Sequence, residues 1–338
     1  MSKFIVEPSP HIRGNNTTDK IMTRVLIALV PALVMSVYIF GIRALYLSIV
    51  CVGSCVIFEM LYRRLIKKET EIDPSPAVTG LLLAFCLPVT LPYYMAVIGC
   101  FIAIVVVKQL FGGLGQNFAN PAITARIVLT LSFTAQMTYW AEPFHYRTGQ
   151  EALDTVSSAT SHGADALSGA TPLALAEAGE QVPGLWDLFM GFHGGSFGET
   201  SGLALIIGFI FLVLTKVIRS VTPLAFVGTV ALGALLAPGE SVILHVFSGG
   251  LLIGAIFMAT DYATTPVSIA GKFVFGVGCG LITLVIRFFS DMPEGVSFAI
   301  LIMNILTFYI DKITFPKPFG MVRESFVFFK KNKEGKKE

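Results

Sequence analysis

Residues 22–40 read Met-Thr-Arg-Val-Leu-Ile-Ala-Leu-Val-Pro-Ala-Leu-Val-Met-Ser-Val-Tyr-Ile-Phe, with no charged side chain from Val25 to Phe40. A helix needs about 20 apolar residues to cross the hydrocarbon core of a bilayer. This run meets that length, and it is not alone. Comparable runs fall at roughly 44–62, 76–92, 94–111, 121–140, 201–218, 223–238, 242–259, 273–289 and 296–313. The expected fold is therefore an all-α integral membrane protein of about ten transmembrane helices. Composition agrees: 54% of the 338 residues are hydrophobic and 14% are charged, against about 25% charged in soluble domains.

The remaining charges set the orientation. Cytoplasmic ends of membrane helices collect Lys and Arg. With the N-terminus inside, that side gathers Arg13, Lys20 and Arg24, the cluster Arg63-Arg64-Lys67-Lys68, Lys216, Arg219, Lys272 and the tail ending Lys336-Lys337. The outer side keeps Arg43 and Arg147, with Arg287 near its edge. Both termini are then cytoplasmic. The expected organisation is a cytoplasmic N-terminal segment (1–21), a first five-helix half (22–140), a large extracytoplasmic loop between helices 5 and 6 (141–200), a second five-helix half (201–313) and a basic cytoplasmic tail (314–338). Five spans per half make any internal repeat an inverted one. Gly80-Leu81-Leu82 and Gly250-Leu251-Leu252 are its local traces. The polar first ~20 residues and the long run after them do not read as a cleavable signal.

A net charge of +2 gives no sign of nucleic-acid binding. Cys51, Cys55, Cys86, Cys100 and Cys279 all lie in apolar runs with no Cys-x-x-Cys pair. They read as small apolar fillers, not as metal or cluster ligands.

Four polar constellations interrupt the apolar pattern. Asp165-Ala-Leu-Ser168-Gly169-Ala170-Thr171-Pro172 lies in the outer loop. Its threonine hydroxyl is framed by small residues and reads as exposed. Thr followed by Pro is a common helix start, and a helix N-terminus also favours an anion such as phosphate. Asp165 is placed to help a metal-dependent phosphoryl-transferring enzyme, whereas Ser157, Ser158, Thr160 and Ser161 read as polar loop. Gly191 to Ser201, with Gly194, Gly195, Ser196, Glu199 and Ser201, precedes the sixth run. Glycine at that density lets backbone approach a flat ligand or another helix. Lys108 to Ala122 contains Asn117 and Asn120 on the cytoplasmic side, and Arg126 follows. It lacks the Walker spacing and follows a span, so it is no nucleotide loop. Arg126 must either snorkel or meet a flavin or a carboxylate. Asp261 sits in Thr260-Asp-Tyr-Ala-Thr-Thr-Pro266. With Glu59, Asp311 and the outer Glu294 it forms the set of ion-path candidates, because intramembrane acids mark ion or proton routes. Glu59 and Asp311 are close enough to span ends to reach water instead.

In their joint order, Ser-Pro-Ala-Val-Thr-Gly (75–80), Phe-Gly-Gly-Leu-Gly (111–115), Ser-Gly-Ala-Thr (168–171), the Gly-Gly-Ser block, Thr-Asp-Tyr-Ala-Thr-Thr-Pro (260–266) and Pro-Glu-Gly-Val-Ser-Phe-Ala (293–299) resemble the RnfD/NqrB family over nearly the whole chain. The short N-terminal region resembles the RnfD branch, a membrane subunit of the Rnf ion-translocating electron transport complex. The resemblance implies FMN bound through a phosphoester to Thr171, with the Gly194–Ser201 element against its isoalloxazine ring. It also implies a candidate non-covalent riboflavin among the helices and a prokaryotic cytoplasmic membrane. Other Rnf subunits and a flavin transferase are the implied partners. Ferredoxin and NAD are expected on partner subunits, since no dinucleotide fold is legible here. The implied role is part of an electron relay coupled to Na+ or H+ export. Two rival readings remain open: a secondary transporter or channel without redox chemistry, and a membrane scaffold.

Overall fold

The computed structural model describes residues 17–67, 73–144, 146, 170–238, 241–290 and 295–314. Asp165, Ser168, Gly169 and Glu294 lie outside the described residues, as do the hydroxyls at 157–161 and the tail beyond Thr314.

All regular structure among the described residues is helical. In chain order the helices are α1 (Thr18–Phe40), α2 (Ile42–Tyr62), α3 (Ser75–Phe85), α4 (Tyr93–Phe101), α5 (Pro121–Ser132), α6 (Thr134–Met137) and α7 (Pro172–Glu177). They continue as α8 (Leu185–Met190), α9 (Gly202–Leu214), α10 (Val221–Leu236), α11 (Val242–Phe247), α12 (Leu251–Ile253), α13 (Ile269–Phe289) and α14 (Val296–Thr314). Three helices run on as wider π-helical turns, at Arg63–Lys67 after α2, Ile102–Gln109 after α4 and Gly254–Met258 after α12. Five-residue hydrogen bonds mark the last two: Leu110 N–H donates to Val105 O, and Ala259 N–H to Gly254 O.

Four of these helices are long and apolar enough to cross a membrane: α1, α2 with its extension, α13 and α14. Several of the others are shorter than the apolar runs in which they fall, and α7 and α8 belong to the 141–200 loop. The run at 76–92 stops being helical after Phe85, because Pro88 and Pro92 cannot supply ladder N–H groups. The run at 242–259 breaks at Gly249 and Gly250, whose φ angles of 67° and 69° are left-handed. Hydropathy sees one apolar run in each place, where the chain makes a half-helix and a turn.

The outer face is apolar. Phe289 is 84% and Leu236 83% exposed, and Leu214, Phe308, Leu224 and Leu232 are exposed with them. Apolar exposure on that scale calls for a lipid covering. Inside, close approach depends on small residues. A Cβ on Gly276 of α13 would lie 2.8 Å from Thr222 O and 3.2 Å from Phe226 N of α10. One on Gly280 would lie 2.6 Å from Thr229 Cβ. Between α2 and α3, a Cβ on Gly80 would lie 2.8 Å from Cys51 O. All five cysteines are buried free thiols that fill such gaps.

Gly276→Val forces α10 and α13 apart against backbone atoms and is expected to cost about 1–3 kcal/mol. Thermal unfolding in detergent should show a lower midpoint for it, while Gly53→Ala in the interior of α2, whose Cβ meets nothing within 4 Å, should keep the midpoint or raise it slightly.

Candidate functional site

Thr171 is the N-cap of α7: its Oγ1 accepts from Ala174 N–H at 3.3 Å, and Pro172 takes the first helical position. Two expectations are corrected here. The threonine is not exposed; it keeps 5% of its surface, although Ala170 beside it is open. And α7 has only six residues, too short for its dipole to make an anion site by itself.

Thr171 shares a small pocket with the Gly191–Ser201 connection and Gly249. This segment does not lie at the outer surface as expected but is threaded into the protein. Phe197 N–H donates to Leu87 O at 3.4 Å, and Gly198 N–H to Phe85 O at 3.2 Å. Ser196 Oγ donates to Cys86 O at 3.3 Å, and Ser36 Oγ to Phe197 O at 2.7 Å. The irregular backbone after α3 and the irregular backbone before α9 thus satisfy each other, as backbone away from water must. Only glycine fits at 198, where a Cβ would lie 2.2 Å from the Phe85 side chain. Ser201 ends the segment as the N-cap of α9, accepting from Ala204 N–H at 3.4 Å.

Arg126 of α5 does not snorkel; it is buried and meets a carboxylate. Its Nη1 donates to Glu199 Oε1 at 2.6 Å and to Ser297 Oγ of α14 at 3.2 Å. Its Nη2 reaches Ser196 Oγ at 3.4 Å and Glu199 Oε2 at 3.5 Å. Both partners are buried. A Cβ on Gly250 would lie 2.9 Å from the Glu199 carboxylate, so the turn between α11 and α12 closes over the pair. Arg287 holds that turn by donating to His245 O at 2.6 Å and Ser248 O at 3.0 Å.

Thr171, His193, Gly194, Gly195, Ser196, Glu199 and Thr200 line one small pocket of about 10 Å³. His193 Nε2 and Thr200 Oγ1 are buried there without a hydrogen-bond partner. Neither was legible as a site residue, because a histidine and a threonine in a Gly-rich stretch carry no spacing signal.

A second site lies in the opposite direction along α5. A cavity of about 400 Å³ is lined by Ser75, Thr79, Lys108, Asn117, Asn120 and Asp261 together with apolar side chains of α1 and α3. Its volume falls within the usual range for small-molecule sites. Asn120 caps α5 by accepting from Ala122 N–H at 3.0 Å and donates to Met258 O at 3.4 Å. Asn304 of α14 turns its amide oxygen to Asn120 N–H and its nitrogen to Thr264 O, each at 3.1 Å. Asn117 Nδ2 donates to Ala119 O at 3.0 Å. Asp261 accepts from Thr264 Oγ1 at 3.2 Å and Ala263 N–H at 3.5 Å. Asp311 is elsewhere, accepting from Val267 N–H at 3.1 Å.

Glu59 does not reach water. It is fully buried, 2.6 Å from Lys108 Nζ and 2.7 Å from Arg63 Nη2. Arg63 also pairs with Asp73 at 3.0 Å, and Lys108 donates to Ser75 Oγ at 2.5 Å. Burial acts to raise the Asp73 pKa, but hydrogen bonds from Ser75 and Arg63 and the charges of Lys108 and Arg63 outweigh it and hold the carboxyl below its ordinary value. Lys108, Arg63, Asp73 and Ser75 are the members that sequence reasoning missed. The available signal was Lys108 itself, a cation at the end of an apolar run that must find an acid.

Arg126→Leu and Glu199→Leu each leave one buried charge alone and are expected to destabilise by about 3–5 kcal/mol. The double variant should recover part of that loss when the three proteins are unfolded side by side in detergent.

Sequence comparisons agree with this architecture. Residues 5–320 match the model of the NQR2, RnfD, RnfE family. The chain is 43% identical to the D-type component of the Na(+)-translocating ferredoxin:NAD(+) oxidoreductase complex of Acetobacterium woodii, covering 94% of this chain and 96% of that one. It is 39% identical to the D-type component of the proton-translocating ferredoxin:NAD(+) oxidoreductase complex of Clostridium ljungdahlii, covering 95% and 97%. It is 38% identical to the D-type component of the ion-translocating oxidoreductase complex of Stutzerimonas stutzeri, covering 90% and 93%. With its helical membrane fold and these relatives, the chain belongs to the NQR2, RnfD, RnfE family.

Proposed function

We propose that this chain is the D-type membrane component of an ion-translocating ferredoxin:NAD+ oxidoreductase. It carries FMN as a phosphoester on Thr171 and a non-covalent riboflavin in the 400 Å³ cavity. It lies in a prokaryotic cytoplasmic membrane with both termini cytoplasmic, as ten spans in two inverted halves. Ferredoxin and NAD bind partner subunits, and a flavin transferase loads Thr171. The named complexes of the relatives support the assignment. One is named for Na+ and one for H+, so either ion is compatible with this subunit.

The observation that carries the reading is the pocket at Thr171. Two motifs separated in sequence, Ala170-Thr171-Pro172 and His193 to Thr200, meet there, and the meeting leaves buried polar atoms without partners. Such atoms fit the polar end of a cofactor attached at that hydroxyl. The pocket is too small for a tricyclic ring, so Gly194, Gly195 and Ser196 serve the phosphate end and not the ring face. Glu199 and Ser201 hold the segment in place through Arg126 and α9. Ser168, Gly169 and Asp165 belong to recognition by the transferase. Flavin supplies one- and two-electron transfer, which suits a relay between carriers of either kind.

In the cavity, Asn117 and Asn120 are the amides available to a flavin's polar edge, with Lys108 beside them. Asp261 opens on the same cavity and is the favoured ion-path acid. Glu59 is a weaker one, since an entering cation must displace Lys108 from it. Asp311 and Glu294 remain the candidates nearer the helix ends.

Mass spectrometry of the Thr171 peptide, from protein coexpressed with a flavin transferase, should show the increment of esterified FMN. Thr171→Ala should lose it with membrane insertion intact. Denatured wild-type protein without flavin colour would favour a transporter. Thr171→Ala protein should still release riboflavin on acid precipitation, and Val25→Trp, which fills the cavity wall, should reduce that release to background.

A further inference from the structure

We propose that His193 and Thr200 form the phosphate grip of this subunit, converging on one non-bridging oxygen of the phosphodiester on Thr171. The inference rests on the reading of Thr171 as the flavin attachment site and gives the two unpartnered groups beside it a specific role.

The argument starts from two atoms. His193 keeps 6% of its surface and Thr200 1%. His193 Nε2 and Thr200 Oγ1 are buried without a partner, and both residues line the pocket that holds Thr171. A buried polar group left unsatisfied costs about 1–3 kcal/mol, so two in one small pocket point to a polar guest. The space of about 10 Å³ takes one oxygen-sized group, about that of a single water.

The tautomer follows from the surroundings. His193 Nδ1 lies 2.9 Å from Gly194 O, and a carbonyl only accepts. Nδ1 therefore carries the proton of the neutral ring, and the unpartnered Nε2 carries a lone pair. Burial holds His193 below its ordinary pKa, against the raising effect of the Gly194 and Thr200 carbonyls; a phosphodiester monoanion adds to the raising side, and the charged ring then donates from Nε2. The Thr200 hydroxyl donates in either state. Glu199 also lines the pocket, but Arg126 at 2.6 Å balances its charge. The Ala174 N–H bond to Thr171 Oγ1 survives esterification, because an ester oxygen still accepts.

The test is phosphorus NMR on the full-length, detergent-solubilised chain coexpressed with a flavin transferase. Mass spectrometry of the Thr171 peptide is run on the same samples. In the wild type the phosphodiester resonance should be displaced from that of the flavinylated peptide released by proteolysis. Thr200→Val and His193→Gln should move it back towards the peptide value, and Thr200→Ser, which restores the hydroxyl, should keep the wild-type value. Loss of the flavin itself in folded Thr200→Val, with Thr200→Ser still loaded, supports the grip equally. Identical resonances in wild type and all variants overturn it and leave the pocket to an ordered water. A loss shared by Thr200→Ser also overturns it. A wild-type peptide without the FMN increment overturns the assignment of Thr171, and the grip with it.

Discussion

The Arg126–Glu199 pair is the constraint around which the rest of the structure is arranged. Neither charge is tolerable alone away from water, and the two come from elements with no local relation. Their pairing fixes where the Gly191–Ser201 segment goes. Once Glu199 is drawn to α5, the chain on either side passes across the break after α3. There Phe197 and Gly198 donate to Leu87 and Phe85. Ser297 brings α14 to the same guanidinium, and the Gly250 turn closes above the carboxylate. One ion pair thereby ties both halves of the molecule to the segment that walls in Thr171.

The second ionic cluster uses the same logic with a different outcome. Glu59 is held between Lys108 and Arg63, and Asp73 balances the second cation. Among the described residues, two acids and two bases balance one another in formal charge. Lys108 and Ser75 nevertheless line the 400 Å³ cavity. A change of charge inside the cavity would act first on the Lys108 ammonium and only through it on Glu59. Asp261, whose donors Thr264 and Ala263 are neutral, would respond directly. That difference separates a structural acid from a functional one within a set that hydropathy alone treats as equivalent.

Local chemistry was legible in the sequence. Thr171 before Pro172 marks a helix start on its own, and α7 begins there. The apolar runs all contain helix, because apolar length is a property of the run itself. Pairing was not legible. Glu199 lies 73 residues from Arg126, and Glu59 lies 49 from Lys108. No local spacing says which acid goes with which base. Depth was not legible either. The Gly191–Ser201 segment has the composition of a surface connection, and only hydrogen bonds to the broken backbone at 85–87 make an inward path tolerable. Thr171 lines a pocket with that segment and with Gly249, neighbours that its own stretch of sequence does not announce.

The two cavities differ in size by more than an order of magnitude, and size divides their roles. About 400 Å³ with amides and a lysine on its wall suits a whole small molecule. About 10 Å³ suits one polar end of a molecule whose remainder lies elsewhere. A group tethered through Thr171, as proposed, would keep its attachment inside the protein and its body outside the pocket. That arrangement fixes one end by hydrogen bonds while leaving the other to meet whatever surface adjoins Ala170, the open residue next to it. Rigidity at the anchor comes from the ion pair beneath it, since Ser196, Glu199 and Thr200 are close neighbours on the segment that Arg126 holds. Removing that pair would loosen the floor of the pocket before it disturbed the Thr171 hydroxyl itself.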